Sequence, residues 1–219
     1  MLTEEDKEKY QFILKSNMTN LQLDIEFPYK QMYEEVEPFF DNFISHNEHK
    51  TTKLSTIMLY GTDVYHTTPS KARESGKIAN WTTMADMCPI TKEFFNEVWP
   101  QKKHRKIKWL LFYPGGTIES HNDSNEGMLG DGVFFSLNHP QGCEIYYDNE
   151  LVPWKPGQCR MFDFSKYHHG KNNSNKKRLH ILTSYHSEDH LSKSASDDFI
   201  NLVIRSYEKQ GYDYKVKKM

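Results

Sequence analysis

Cysteine is scarce in this chain of 219 residues: Cys88, Cys143 and Cys159 are widely spaced, and no Cys-x-x-Cys pair occurs. An odd, scattered set excludes a disulfide framework and a cysteine zinc site. Long apolar runs are lacking too, with nothing near the ~18 consecutive apolar residues of a membrane-spanning helix. The opening MLTEEDKEKYQF has no apolar core of a secretory leader. Charge of either sign is not in excess: the net is −2, which points to neither nucleic acid nor an anionic membrane as a partner. Internal repeats and low-complexity tracts are missing. These absences predict one soluble domain, 1–219, in a reducing cytoplasm, long enough to bury a core without staples. Aromatic residues are plentiful at 14%, which argues against disorder.

The texture changes along the chain. Residues 1–106 are expected to form a mixed, helix-rich part that buttresses the rest. In QMYEEVEPFFDNFISHN, Met32, Val36, Phe39, Phe40 and Phe43 follow a spacing close to 3.6 and predict a helix. A second short helix is expected at Ile90–Trp99, opened after Cys88-Pro89. Thr68–Asn80 is polar and basic and predicts a loop. Residues 107–187 alternate short apolar runs with Gly, Pro and Asn turns. IKWLLFY predicts a strand that Pro114-Gly115-Gly116 ends. GVFFSLN, GCEIYYD, LVPW, QCRMFDF and RLHILTSY predict further strands, with a tight hairpin at Asp148-Asn149-Glu150. Residues 188–219 are expected to form a polar tail and a helix at FINLVIRSYEKQ. The fold class is therefore mainly β with flanking helices, a jelly-roll or cupin-like double sheet.

Within that core, His121 and Asp123 stand two apart in ESHNDS, and His168 follows in FDFSKYHHG. On extended backbone, residues two apart share a side, so both side chains can reach one ion. Two imidazoles and one carboxylate form the facial set that suits non-haem Fe(II) and leaves coordination positions for other ligands. Each piece alone is bland: a His-x-Asp pair is common by chance, and adjacent histidines are frequent in exposed loops. His168 is preferred to His169 because it stands ten residues before Arg178. His169 is expected at the pocket rim or in solvent.

Arg178 opens RLHILTSY. Alternation puts Arg178, His180, Leu182 and Ser184 on one face and Leu179, Ile181 and Thr183 on the other. An arginine turned into a small barrel is costly unless an anion meets it. A carboxylate held bidentately answers that need. An internal Asp or Glu is the structural alternative. His180 and Ser184 are candidate neighbours of the same anion or ordinary polar filler.

YPGGTIESHNDS, GCEIYYDNELVPWKPGQCRMFDFSKYHHG and RLHIL together resemble the aspartyl/asparaginyl β-hydroxylase family of Fe(II)/2-oxoglutarate dioxygenases. The likeness spans Lys108 to about His190. It implies a double-stranded β-helix, metal ligands at His121 and His168, and 2-oxoglutarate at Arg178. The membrane-anchored peptide hydroxylases of the family carry Gly where Asp123 stands, so this chain resembles the branch with the full triad. Asp123 also speaks against a halogenase, which must vacate that position for halide. The family often places Arg and His just before the strand equivalent to GVFFSLN; here that stretch is GMLGDG, and only Arg178 is carried over.

The function expected is hydroxylation of an unactivated C–H of an amino acid, free or within a peptide or protein. The resemblance implies Fe(II), 2-oxoglutarate and O₂, with release of succinate and CO₂ and ascorbate as a possible stimulant. A non-catalytic cupin-like binding domain and a metal-dependent hydrolase or isomerase are the rivals; both leave Arg178 without a task. Tyr146, Trp81 and Asn138 are candidates for substrate contact, with packing the commoner role. Trp154 and Phe162 are expected in the core, and Asp163 is expected to cap a turn.

Overall fold

The strand Lys106–His121 changes partner partway along its length, and this shapes the molecule. The computed structural model describes residues 2–46, 51–66, 78–104, 106–123, 127–185 and 190–214. In chain order the elements are α1 (Glu4–Leu14), β1 (Asn20–Leu23), α2 (Tyr29–Val36), β2 (Ile44–Ser45), β3 (Thr51–Gly61), β4 (Asn80–Trp81), α3 (Thr83–Asp86) and α4 (Pro89–Glu93). Then come β5 (Lys106–His121), β6 (Gly132–Ser136), β7 (Cys143–Tyr147), β8 (Glu150–Leu151), β9 (Cys159–Phe162), β10 (His168–Asn172), β11 (Arg178–Ser184), α5 (Leu191–Ser194) and α6 (Asp197–Lys209). The strands run β1-β9-β6-β11-β5-β10-β7-β8, with β3 also on β5. The mainly-β, double-stranded β-helix expectation holds.

The first half of β5 pairs antiparallel with β11, from Ser184↔Lys106 to Arg178↔Phe112. Its second half pairs with β10, from Lys171↔Thr117 to His168↔His121. Pro114-Gly115-Gly116 therefore does not end the strand; it is the crease at which the strand exchanges β11 for β10. Pro114 has no N–H to give a ladder, and Gly115 takes a φ of 71°. A Cβ on Gly116 would sit 2.5 Å from the Phe112 ring and 2.9 Å from the Thr52 carbonyl. On β3 one residue, Lys53, spans the gap between Thr52↔Thr117 and Leu54↔Phe112, so β5 bulges against it.

Asn172 ties this crease shut. Its fully buried amide donates to the carbonyls of Phe112 at 2.9 Å and Lys176 at 3.0 Å. Its Oδ1 accepts from the Ser174 N–H at 3.1 Å and hydroxyl at 2.6 Å. Every hydrogen-bonding direction of the side chain is thus used to hold β5 to the β10–β11 connection.

Alternation sorts the strands between two cores. Ile107, Trp109, Leu111, Leu179 and Ile181 face the helices, while Leu110, Phe112 and Leu182 face the space between the sheets. All of β11 is buried because both faces are covered. The Asp148-Asn149 turn has φ of 47° and 64°, the positive pair that a two-residue hairpin needs. It is the tight hairpin expected between β7 and β8. β8 stops at Leu151, so LVPW is mostly irregular chain that carries the buried Trp154 into the interior.

The N-terminal half departs most from expectation. The eleven-residue strand β3 was not foreseen there. The helix expected from Gln31 splits after Val36 into a 3₁₀ turn, Glu37–Asn42, because Pro38 cannot donate to the carbonyl one turn back. The helix expected at Ile90–Trp99 is present as α4 followed by a π-helical turn, Phe94–Val98. Glu35 of α2 caps it, accepting from the N–H groups of Ile90 at 2.9 Å and Thr91 at 2.7 Å. The terminal helix is α6, capped by Ser196. The loop expected at Thr68–Asn80 lies largely outside the described residues. Among the described residues no helix is long and apolar enough to cross a membrane.

Two expectations follow. Asn172→Ala should lower stability by about 1–3 kcal/mol, read by urea unfolding, because two carbonyls lose their donor in a dry crease. Burial holds His104 and His139 neutral, down to about 4 from 6.5. The unfolded chain takes these protons first, so stability is whole above pH 6.5 and falls as pH drops from there toward 4. His104→Phe, in a cage of Tyr60, Phe95 and Tyr185, should make that acid limb shallower; an unchanged slope would exclude His104 as a contributor.

Candidate metal centre

Three side chains meet where the second sheet opens. His121 ends β5 and His168 begins β10, directly opposite it in the antiparallel register. Asp123 is not on the strand as the spacing suggested; it follows the end of β5 and is turned back by its N–H, which donates to the Phe164 carbonyl at 3.0 Å. One donor atom from each of His121, Asp123 and His168 lies within 4.8 Å of the others. His169 is not part of this cluster. It stacks on Tyr146 at 4.8 Å and lines the rim of the adjoining cavity.

The imidazoles are oriented by backbone. His121 Nδ1 donates to the Glu119 carbonyl at 2.7 Å, and His168 Nδ1 donates to the Lys166 carbonyl at 3.1 Å. That fixes the tautomer and leaves Nε2 of each ring as the lone-pair nitrogen. Each Nε2 stands 3.7 Å from a different oxygen of Asp123. The gap is too long for a hydrogen bond. It suits donors that face a shared divalent ion through bonds of about 2.0–2.2 Å. Tyr147 stacks on His168 at 4.8 Å and holds the ring from behind. Side-chain exposures of 18%, 28% and 12% for His121, Asp123 and His168 put the cluster within reach of solvent.

A cavity of roughly 570 Å³ runs inward from this cluster. Arg178 lines it too, beside the crease, and is 4% exposed. Its guanidinium lies 5.2 Å from the Phe112 ring centroid. Burial pushes its pKa down, and the Cys143 thiol and Tyr147 hydroxyl oppose that only in part. No acidic side chain pairs with it among the described residues, and its Nε has no hydrogen-bond partner. The internal Asp or Glu alternative is therefore not met among the described residues, and the guanidinium has the shape to take a carboxylate. His180 lines the cavity two residues on. Burial, then the nearby Arg178 charge, hold its pKa well below the ordinary value, so it is a neutral neighbour.

The remaining candidates each make structural contacts. Asn138 bridges the edge of β11, donating to the Lys177 carbonyl at 2.9 Å and accepting from the Leu179 N–H at 2.6 Å. Trp81 packs edge-on against Tyr60, and the Tyr146 hydroxyl donates to Glu144. Ser184 is buried outside the cavity lining. Trp154 and Phe162 are core residues that also wall the cavity. Asp163 caps its turn, accepting from the Ser165 N–H at 2.9 Å and hydroxyl at 2.7 Å.

The return segment after Asp123 is pinned from outside the sheets. The Leu129 N–H donates to the Leu14 carbonyl at 3.1 Å. Asp131 Oδ2 accepts from the Phe164 N–H at 3.1 Å, and its Oδ1 lies 3.2 Å from His190 Nε2.

Sequence reasoning missed Lys106 and Lys108, which line the cavity from β5. The signal was available: alternation in KIKWLLFY puts Lys106 and Lys108 on the face of Leu110 and Phe112. His46, Thr51 and Leu54 also line it, and they belong to a part expected to be helix-rich.

No curated protein matches the sequence. Among solved structures, an oxidoreductase of the 2OG-Fe(II) oxygenase family from Burkholderia pseudomallei superposes with a TM-score of 0.51 at 10% identity, covering 90% of this chain and 97% of that one. A prolyl-4-hydroxylase from Pseudomonas putida gives 0.48 at 10% identity, over 83% of this chain and all (100%) of that one. At such identity the first likeness speaks for the fold alone. The model of the aspartyl/asparaginyl β-hydroxylase family matches residues 23–187, well over half of the chain. By that match the chain belongs to the aspartyl/asparaginyl β-hydroxylase family and is an enzyme of the Fe(II)/2-oxoglutarate-dependent hydroxylase type.

Proposed function

We propose that His121, Asp123 and His168 hold Fe(II), that Arg178 holds the distal carboxylate of 2-oxoglutarate, and that the enzyme hydroxylates a C–H of an amino acid, free or in a peptide. One observation carries this: a His/Asp/His cluster and a buried arginine with no acidic partner among the described residues share a single cavity.

Each residue has a defined task. His121 and His168 offer neutral Nε2 atoms because their Nδ1–H groups are spent on carbonyls. Asp123 supplies the anionic donor and lowers the net charge of the ion. Arg178 offers a planar pair of N–H groups, which matches a carboxylate bidentately. Phe112 beneath it keeps the guanidinium in place. Leu110, Phe134, Phe162 and Leu182 give the cavity apolar walls that exclude water from the reacting centre. The bound metal and co-substrate supply the oxidation: R–H, O₂ and 2-oxoglutarate become R–OH, succinate and CO₂.

The decisive assay is succinate formation from 2-oxoglutarate with added Fe(II) and ascorbate. Wild-type protein should turn over slowly even without a substrate, and His121→Ala should not. His168→Ala should lose Mn(II) binding by calorimetry, whereas His169→Ala should keep it; the reverse pattern would overturn the ligand assignment. Arg178→Ala should weaken 2-oxoglutarate roughly 10- to 150-fold, the loss of a charge-assisted contact, and leave Mn(II) affinity nearly unchanged. A wild-type protein that neither binds 2-oxoglutarate nor consumes it would favour a binding domain or a hydrolase on this fold.

A further inference from the structure

We propose that the Tyr147 hydroxyl donates to the metal-side end of the co-substrate, its 2-oxo acid group, and fixes how that end lies. Alternation in CEIYY buries Cys143, Ile145 and Tyr147 and leaves Glu144 and Tyr146 on the other face. Tyr147 ends β7 directly across from His168 in the antiparallel register. Its ring stacks on the His168 imidazole at 4.8 Å, with 13° between the planes. The Phe162 ring meets it at 4.4 Å. Two neighbouring rings therefore hold the phenol, and its hydroxyl is a fixed donor beside a proposed metal ligand.

Tyr147 lines the cavity and is 3% exposed. A tyrosine hydroxyl so buried usually finds a hydrogen-bond partner. Among the described residues this one has none, and a polar group taken from water without a partner costs stability. Burial, then the Asp123 charge, push its pKa well above the ordinary value, and Arg178 opposes them. The group is therefore a neutral O–H, and the charge that acts on it most is the one at the metal end. This assignment rests on the oxygenase reading, in which Arg178 takes the distal carboxylate of 2-oxoglutarate and the 2-oxo acid end lies at His121, Asp123 and His168. The oxygens of that end accept hydrogen bonds and offer none, and a phenol that can donate is their complement.

Calorimetry on Mn(II)-loaded protein tests this without turnover. Tyr147→Phe keeps the ring and removes the donor. It should bind 2-oxoglutarate about 10-fold more weakly or worse, the loss of a hydrogen bond to a charged group. Its Mn(II) affinity and its urea unfolding midpoint should match those of wild type, because the stack on His168 stays and no internal hydrogen bond is lost. Tyr146→Phe, which removes the neighbouring hydroxyl from the other face, should bind 2-oxoglutarate as wild type does. The end of the co-substrate that is met can be read from the visible charge-transfer band of anaerobic Fe(II) protein saturated with 2-oxoglutarate. Tyr147→Phe should shift that band, since the donor acts on the chelating group. The proposal is overturned if Tyr147→Phe binds 2-oxoglutarate as well as wild type, or if its loss falls on Mn(II) affinity or the unfolding midpoint instead. It is also overturned if Tyr146→Phe loses as much, or if affinity falls while the band stays, which would put the hydroxyl on the distal carboxylate. Wild-type protein that fails to take up 2-oxoglutarate with Mn(II) would remove the oxygenase reading itself, a result distinct from all of these.

Discussion

The pairing of β5 with two different partners is the constraint on which the site depends. The crease at Pro114–Gly116 is where β5 exchanges β11 for β10. Arg178 meets β5 at the crease and His168 meets it at the open end. Arg178 and His168 both line one cavity.

The site is built by backbone at one end and by burial at the other. Near the open end, carbonyls of Glu119 and Lys166 and the N–H of Asp123 set the three donor side chains. At the crease, Arg178 is held by aromatic and thiol neighbours that do not neutralise it. Side chains oriented before a ligand arrives lower the reorganisation that binding requires.

Much of this was legible in the sequence because period-two alternation is robust. It separated Arg178, His180 and Leu182 from Leu179, Ile181 and Thr183 with no knowledge of the partner strands. The ten-residue step from His168 to Arg178 likewise survives folding, since it spans β10, a short turn and the first residue of β11. What failed was punctuation. Pro114-Gly115-Gly116 has the composition of a strand end, yet β3 alongside absorbs the bulge and the strand continues. Pro38 broke a helix that its apolar spacing favoured. β3 was missed because its long partner, β5, lies 47 to 67 residues away, and local pattern does not reveal such pairing. Lys108 was overlooked because a lysine in a strand is ordinarily read as solvent-facing.

The pinning of the segment after Asp123 has a further bearing on what counts as the minimal enzyme. Leu14, which accepts from Leu129, and His190, which reaches Asp131, both lie outside the stretch matched by the family model. The Asp131 carboxylate in turn fixes Phe164, whose carbonyl orients Asp123. Cut to residues 23–187, the chain would retain every proposed ligand and lose two of the anchors that set one of them. Boundaries drawn from family likeness therefore enclose the candidate ligands without the scaffolding that aims them, and Leu14 and His190 act as remote supports of the candidate metal site.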